Sequence, residues 1–183
     1  GVYGNCHGEV VFEKKMVNPC TDRAKRRVDA EQQITKFCED RGIDLVILRV
    51  PGIYGKNRLP MKRIDASEPL IIEEQSRVTN LIHVEDLSRI AIRALNINID
   101  GTEIVNVSDG TAIKTTLYYE IIYKVLKKKL PNYITFDDAL KCYDPNRISF
   151  LKESRILNTE KMDRLFPNCV EYRRIEEGIK ASL

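Results

Sequence analysis

The chain has 183 residues, 43% of them hydrophobic and 31% charged, which suits one globular unit with a core of its own. Its 30 basic and 27 acidic residues leave a formal charge of +3, too balanced to point to nucleic acid. No apolar run approaches the roughly 20 residues of a membrane span, and Gly1 to Cys6 do not read as a secretion signal.

Residues 1–20 read as irregular, broken by Gly1, Gly4, Gly8 and Pro19. A helix is expected from Thr21 or Asp22, either of which can cap free backbone N–H groups. Ala24, Val28, Ile34, Phe37 and Cys38 recur along it at helical spacing, and Gly42 stops it. Asp44 to Val50 reads as a buried strand. Pro51, Gly52, Gly55, Asn57 and Pro60 then mark a loop.

Pro69 to Glu73 and Val78 to Ile82 are short strand candidates. Leu87, Ile90, Ala91, Ala94 and Leu95 form one apolar stripe, so residues 86–96 are an amphipathic helix with Asp86 as its cap rather than an acid. Gly101 breaks the pattern, and Glu103 to Val107 is another strand. Thr115 or Thr116 then caps a helix that turns Leu117, Ile121, Ile122, Val125 and Leu126 inward and ends before Pro131. The remainder reads as short helices. Strands alternating with helices indicate an α/β fold.

Five cysteines, widely spaced and without a CxxC pair, suggest free thiols in a reducing, cytoplasmic setting and no metal site. Function in such sheets gathers at the carboxyl ends of strands. Tyr3 and Tyr54 both follow strand ends, where each can stack on a ligand or close a loop over the core. His83 ends a strand as well. It is either a general base or, more commonly at such junctions, a locally hydrogen-bonded packing residue. Tyr118, Tyr119 and Tyr123 read as packing.

Several segments, in this order, carry a resemblance: Val2-Tyr3-Gly4, Ala30-Glu31, Arg49 to Gly55, His83 to Leu87, Asn106 to Gly110, Ser154 to Asn158 and Glu176 to Ile179. Together they resemble an atypical branch of the extended short-chain dehydrogenase/reductases, the NAD-dependent epimerase/dehydratase family. The resemblance implies a partial Rossmann-like parallel sheet with helices plus a small C-terminal substrate-binding subdomain. Residues 1–183 form a single unit. Within it, 1–55 and 78–110 correspond to the Rossmann-like core, and 56–77 and 111–183 to the subdomain.

The departures matter as much. The family's GxxGxxG turn, which holds the cofactor pyrophosphate on a helix N-terminus, is absent from this chain. Counting back from Ala30-Glu31 puts Arg23 in the family's catalytic Tyr slot and Arg27 in its Lys slot. A guanidinium stays protonated and cannot shuttle the proton. Arg27 can still hold a ribose or phosphate, or the whole basic run Arg23 to Arg27 can be a solvated helix start. Gly52 stands where the epimerases carry a substrate Asn, and Thr79 where an Arg often clamps the diphosphate, with Lys56, Arg58 and Arg77 as nearby substitutes.

A complete homologue therefore implies NAD or NADP, with Arg27, Pro51 and Gly52 on the cofactor side and Tyr3, Tyr54 and His83 on the substrate side. None is expected for this chain alone. The chain reads as the C-terminal substrate-binding part of an epimerase/dehydratase-like protein, not catalytic by itself and taking a nucleotide or sugar nucleotide. Its partner is an N-terminal half supplied by another chain, or a second copy through self-association, with no nucleic acid or membrane involved. The alternative is a nucleotide-sensing or scaffold protein that kept the fold and lost the chemistry. Since the family's N-terminal half is missing, the expectation is a fragment, a split gene product or a truncated homologue, with a natural short product as the alternative.

Overall fold

A computed structural model describes residues 1–183. The chain is a mixed α/β fold in which helices flank small, mostly parallel sheets. Helix α1 (Asp22–Glu39) starts as its sequence requires: the Thr21 side chain accepts from the Ala24 N–H, and Gly42 follows in the left-handed region. The expected stripe is only partly buried. Ala24 and Cys38 face inward, whereas Ile34 and Phe37 are exposed.

Strand β2 (Leu45–Arg49) pairs in parallel with β6 (Thr102–Asn106) over five residue pairs, from Leu45 against Thr102 to Arg49 against Asn106. Its other edge pairs with nothing in this chain. The segment expected to be loop after Pro51 contains a strand instead, β3 (Gly52–Tyr54), parallel to β5 (Val78–His83). Gly55 ends β3 at φ 149°, where a Cβ would meet Val84 Cγ1 at 2.5 Å, so the turn admits only glycine. β5 also pairs antiparallel with β7 (Ala112–Lys114).

Two further strand pairs are made of two-residue strands, of which only Leu70–Ile71 falls within an expected strand, Pro69 to Glu73. β1 (Val10–Val11) joins β9 (Ile156–Leu157), and β4 (Leu70–Ile71) joins β8 (Tyr133–Ile134). The helices are α2 (Met61–Asp65), α3 (Val84–Ala94), α4 (Thr115–Val125), α5 (Phe136–Cys142), α6 (Pro145–Leu151), α7 (Glu160–Leu165) and α8 (Ile175–Ala181). No helix is long and apolar enough to cross a membrane. All five cysteines are free thiols.

Two capping expectations need correction. His83, not Asp86, caps α3. Asp86 is buried and accepts hydrogen bonds from the Glu171 and Tyr172 N–H groups at 3.0 and 3.1 Å, with Arg89 as its ionic partner. A carboxylate taken out of water needs such donors, and here they tie the segment before α8 to α3. Neither Thr115 nor Thr116 caps α4. The Thr115 hydroxyl donates to the Arg77 carbonyl and the Thr116 hydroxyl to that of Ile71, pinning the helix start to the β4–β5 connection.

Residues from both expected parts of the chain share core clusters. Tyr54 and Leu81 pack with Ile64, Tyr118, Tyr119, Ile122, Tyr123, Ile175 and Ile179 in one cluster. Ile82, Ile90, Val105 and Val107 pack with Met162 and Phe166 of the C-terminal region in another. Burial of α4 therefore centres on its tyrosines, while Leu117, Ile121, Val125 and Leu126 lie at the cluster margin.

Candidate functional site

One cavity of about 850 Å³ lies between α1, the ends of β2 and β3, the start of β5, and the α4 and α6 region. That volume falls in the range of small-molecule sites, about 300–1,000 Å³. Strand ends open onto it: Arg49, Pro51 and Gly52 from β2 and β3, Thr79 and Asn80 from β5. Helix α1 contributes Arg23, Arg27 and Glu31, spaced so that one helix face looks into the cavity. On the far side stand Arg63, Tyr118, Tyr119, Arg147 and Phe150, with Arg155 from the segment before β9.

The floor is rigid and fully paired. Arg49 makes a bidentate pair with Glu31, its Nη2 lying 2.8 Å from Oε2 and its Nε 3.2 Å from the same oxygen and 3.3 Å from Oε1. Its Nη1 donates to the Tyr3 hydroxyl at 2.9 Å, and that hydroxyl donates to Asn106 Oδ1 at 2.7 Å. Burial pushes the Tyr3 hydroxyl above its ordinary pKa, against the opposing pull of Arg49. Tyr3 thus lines the cavity with its hydroxyl committed, and the Arg49 guanidinium lies 4.9 Å from its ring centre.

Most cations of the walls are held in place. Arg155 donates to the Gly4 carbonyl at 2.7 Å and to Glu153 at 2.8 Å. Arg147 lies 2.5 Å from Glu68 and 3.5 Å over the Tyr143 ring. Arg63 donates to the Tyr119 hydroxyl at 2.9 Å. Arg23 stacks at 3.8 Å on the Phe150 ring across the cavity, and Arg27 has no partner.

Of the residues singled out from the sequence, Tyr3, Arg23, Arg27, Pro51, Gly52 and Thr79 all line this one cavity. Tyr54 and His83 do not. Both are buried in the core, their rings edge to face with centroids 5.2 Å apart. The reason is strand alternation: Ile53 lines the cavity, and Tyr54, the next residue, points to the opposite side. His83 Nδ1 accepts from the Glu85 N–H at 3.3 Å, so the neutral ring carries its proton on Nε2, 3.3 Å from the Ser182 hydroxyl. Burial lowers its pKa, against the pull of Glu85 and Asp86. Lys56, Arg58 and Arg77 stay off the cavity; Arg63, Arg147 and Arg155 supply its positive charge instead. Nothing local in the sequence marks these three, because α2, α6 and the segment before β9 reach the cavity only through tertiary packing.

No family model matches the sequence, and no curated protein does. Solved structures do match. A conserved protein of Silicibacter pomeroyi, described as functionally unknown, shares 25% identity at a TM-score of 0.87 over 98% of this chain. The UDP-N-acetylglucosamine 4-epimerase of Methanobrevibacter ruminantium, in complex with UDP-N-acetylmuramic acid, shares 20% at 0.76 over 99%. The UDP-glucuronic acid 4-epimerase of Bacillus cereus, in complex with UDP-glucuronic acid and NAD, shares 18% at 0.77 over 99%. The chain has the fold of these epimerases. It spans less than two thirds of each of the three structures, 62%, 58% and 57% respectively.

The residues present do not by themselves fit a nicotinamide cofactor. The chain contains no Gly-rich turn to cradle a pyrophosphate. The two positions counted as the family's Tyr and Lys carry guanidiniums on the cavity wall. What the arrangement can do is hold a polar, anionic small molecule between a basic helix face and an aromatic wall.

Proposed function

We propose that the chain is the substrate-binding part of an NAD(P)-dependent epimerase/dehydratase-like protein, taking a nucleotide or sugar nucleotide in the cavity and not catalytic by itself. The observation that carries this reading is the convergence of Tyr3, Arg27, Pro51, Gly52 and Thr79 on one cavity of about 850 Å³, within a fold shared with sugar-nucleotide epimerases. The division into a Rossmann-like part and a substrate-binding subdomain belongs to the same reading. So does a cytoplasmic setting, in keeping with five free thiols.

Arg23 and Arg27 favour a second reading, a nucleotide-sensing or scaffold protein that kept the fold without the chemistry. Both readings call for ligand binding, and they part over turnover. The free edge of β2 supports a partner strand, from a complementary N-terminal half or from a second copy. Calorimetric titration with UDP-glucuronic acid tests the shared core: saturable binding is expected, and its absence removes the nucleotide reading. Turnover of UDP-glucuronic acid with added NAD by the chain and a complementary half would decide for the enzyme. Binding without turnover in that pair would decide for the sensor.

A further inference from the structure

Arg23 and Arg27 are the two cavity cations without a neutralising partner. The α1 acids nearest to them in sequence are already engaged: Asp22 by Lys25 at 3.8 Å, Asp29 by Gln33 at 2.7 Å and Glu31 by Arg49 at 2.8 Å. Across the cavity, Arg147 and Arg155 have carboxylates within 2.8 Å. Arg23 and Arg27 are one helical turn apart, so their like charges repel within the helix. Arg23 also sits in the first turn, at the positive end of the helix, where a cation is disfavoured. The arrangement costs stability unless something negative offsets it, and the two side chains face a cavity large enough to hold that group.

We propose that Arg23 and Arg27 form an oxyanion subsite, binding a phosphate or carboxylate group of a small molecule that lies in the cavity. The subsite stands where the resemblance places a proton-transfer pair, so its role is to hold charge. Two guanidinium forks one turn apart can each offer paired N–H donors to one tetrahedral or planar oxyanion. Stacking on Phe150 fixes Arg23 at 3.8 Å from the ring and orients it toward the far wall. Arg27 remains free to close on the same anion.

The inference rests on the cavity being a ligand site but not on nucleotide recognition. Two probes without base or sugar test it: inorganic pyrophosphate and citrate, titrated by calorimetry at fixed ionic strength. The variants are Arg23→Gln with Arg27→Gln, and as control Lys25→Gln with Arg26→Gln. The control removes the same charge from the same helix at positions off the cavity. Melting curves verify that both variants fold.

Saturable binding of at least one probe is expected, weakened about tenfold or more in the Arg23/Arg27 variant and nearly unchanged in the control. Pyrophosphate binding alone identifies a phosphate subsite; citrate alone identifies a carboxylate subsite. Equal weakening in both variants, or no saturable binding of either probe, overturns the proposal. UDP-glucuronic acid binding that survives the Arg23/Arg27 change also overturns the subsite while keeping the nucleotide reading. Probe binding without UDP-glucuronic acid binding keeps the subsite and removes the nucleotide.

Discussion

Replacing Asp109 with Asn should flatten part of the pH dependence of stability. Asp109 is buried on the stretch between β6 and β7. One oxygen, Oδ1, accepts from the Thr111 N–H at 2.8 Å, and Oδ2 has no partner. Burial pushes its carboxyl pKa up to about 7, with nearby Asp86 adding to the rise and the Thr111 hydrogen bond and Arg173 opposing it. A raised folded pKa means the native state binds a proton that the unfolded chain has released. Stability from this group is therefore complete below about pH 4, the value of a free aspartate, and is lost as pH climbs through the folded value. The interval from about 4 to about 7 corresponds to on the order of 4 kcal/mol, at close to 1.4 kcal/mol per pH unit.

His83 works in the opposite direction. Its lowered pKa makes the native state resist protonation, so its contribution grows as pH rises toward the ordinary histidine value. The quantity to measure is thus the difference between wild type and Asp109→Asn, from urea unfolding at pH 4.5 to 8.5. Asn keeps the acceptor for Thr111 and cannot ionise. The variant should gain on the wild type steadily up to about pH 7 and then level off. A difference that stays constant with pH would show that Asp109 titrates as an ordinary surface carboxylate and would refute the reasoning.

Gly178 lies against Tyr54, where a Cβ would meet the hydroxyl at 2.2 Å. Gly178→Ala should cost about 1–3 kcal/mol in thermal unfolding, and Tyr54→Phe, which removes an unpartnered buried hydroxyl, should recover part of it. Glu31→Leu should destabilise by about 3–5 kcal/mol because it strands the buried Arg49, whereas Glu31→Leu with Arg49→Met should lose less than the single change. Equal losses for the single and double variants would disprove that account. NAD and NADP should show no micromolar affinity for this chain in calorimetry, since it has no pyrophosphate turn. The unpaired β2 edge predicts concentration-dependent association in sedimentation, which a strict monomer at high concentration would contradict.

Elements with strong local signals were legible in the sequence. Thr21 announces α1 by its cap, β2 is an apolar run between turn residues, β6 follows the break at Gly101, and the stripe from Leu87 marks α3. Strand β3 was hidden because Pro51 and Gly52 punctuate it and its partner β5 comes only after α2 and β4. The two-residue strands exist through pairing alone, β1 with β9 near the two ends of the chain. At the site, residues on α1 and at the strand ends were placed by counting along the segments that carry the family resemblance, and the regularity of those elements keeps such a count in register. Tyr54 could not, since its side depends on where β3 begins. Arg147 was equally hidden. It reaches the cavity because Ile148 and Leu151 anchor α6 to Ile71, a contact no local pattern encodes.

The chemistry of the cavity favours holding over reacting. A proton shuttle needs a group that can give and take a proton near neutral pH. Arg23 and Arg27 cannot, the Tyr3 hydroxyl is raised by burial and tied between Arg49 and Asn106, and His83 faces the core. Glu31 is occupied by Arg49 through three contacts. What remains free is positive charge on α1 and an aromatic wall opposite. Of the other cavity carboxylates, Glu153 pairs with Arg155, and Asp144 caps α6 through one oxygen. Arg23→Tyr with Arg27→Lys in the isolated chain should therefore create no epimerase activity. Measurable turnover in that variant, from UDP-glucuronic acid and NAD, would mean that the rest of the catalytic machinery is already present in these residues.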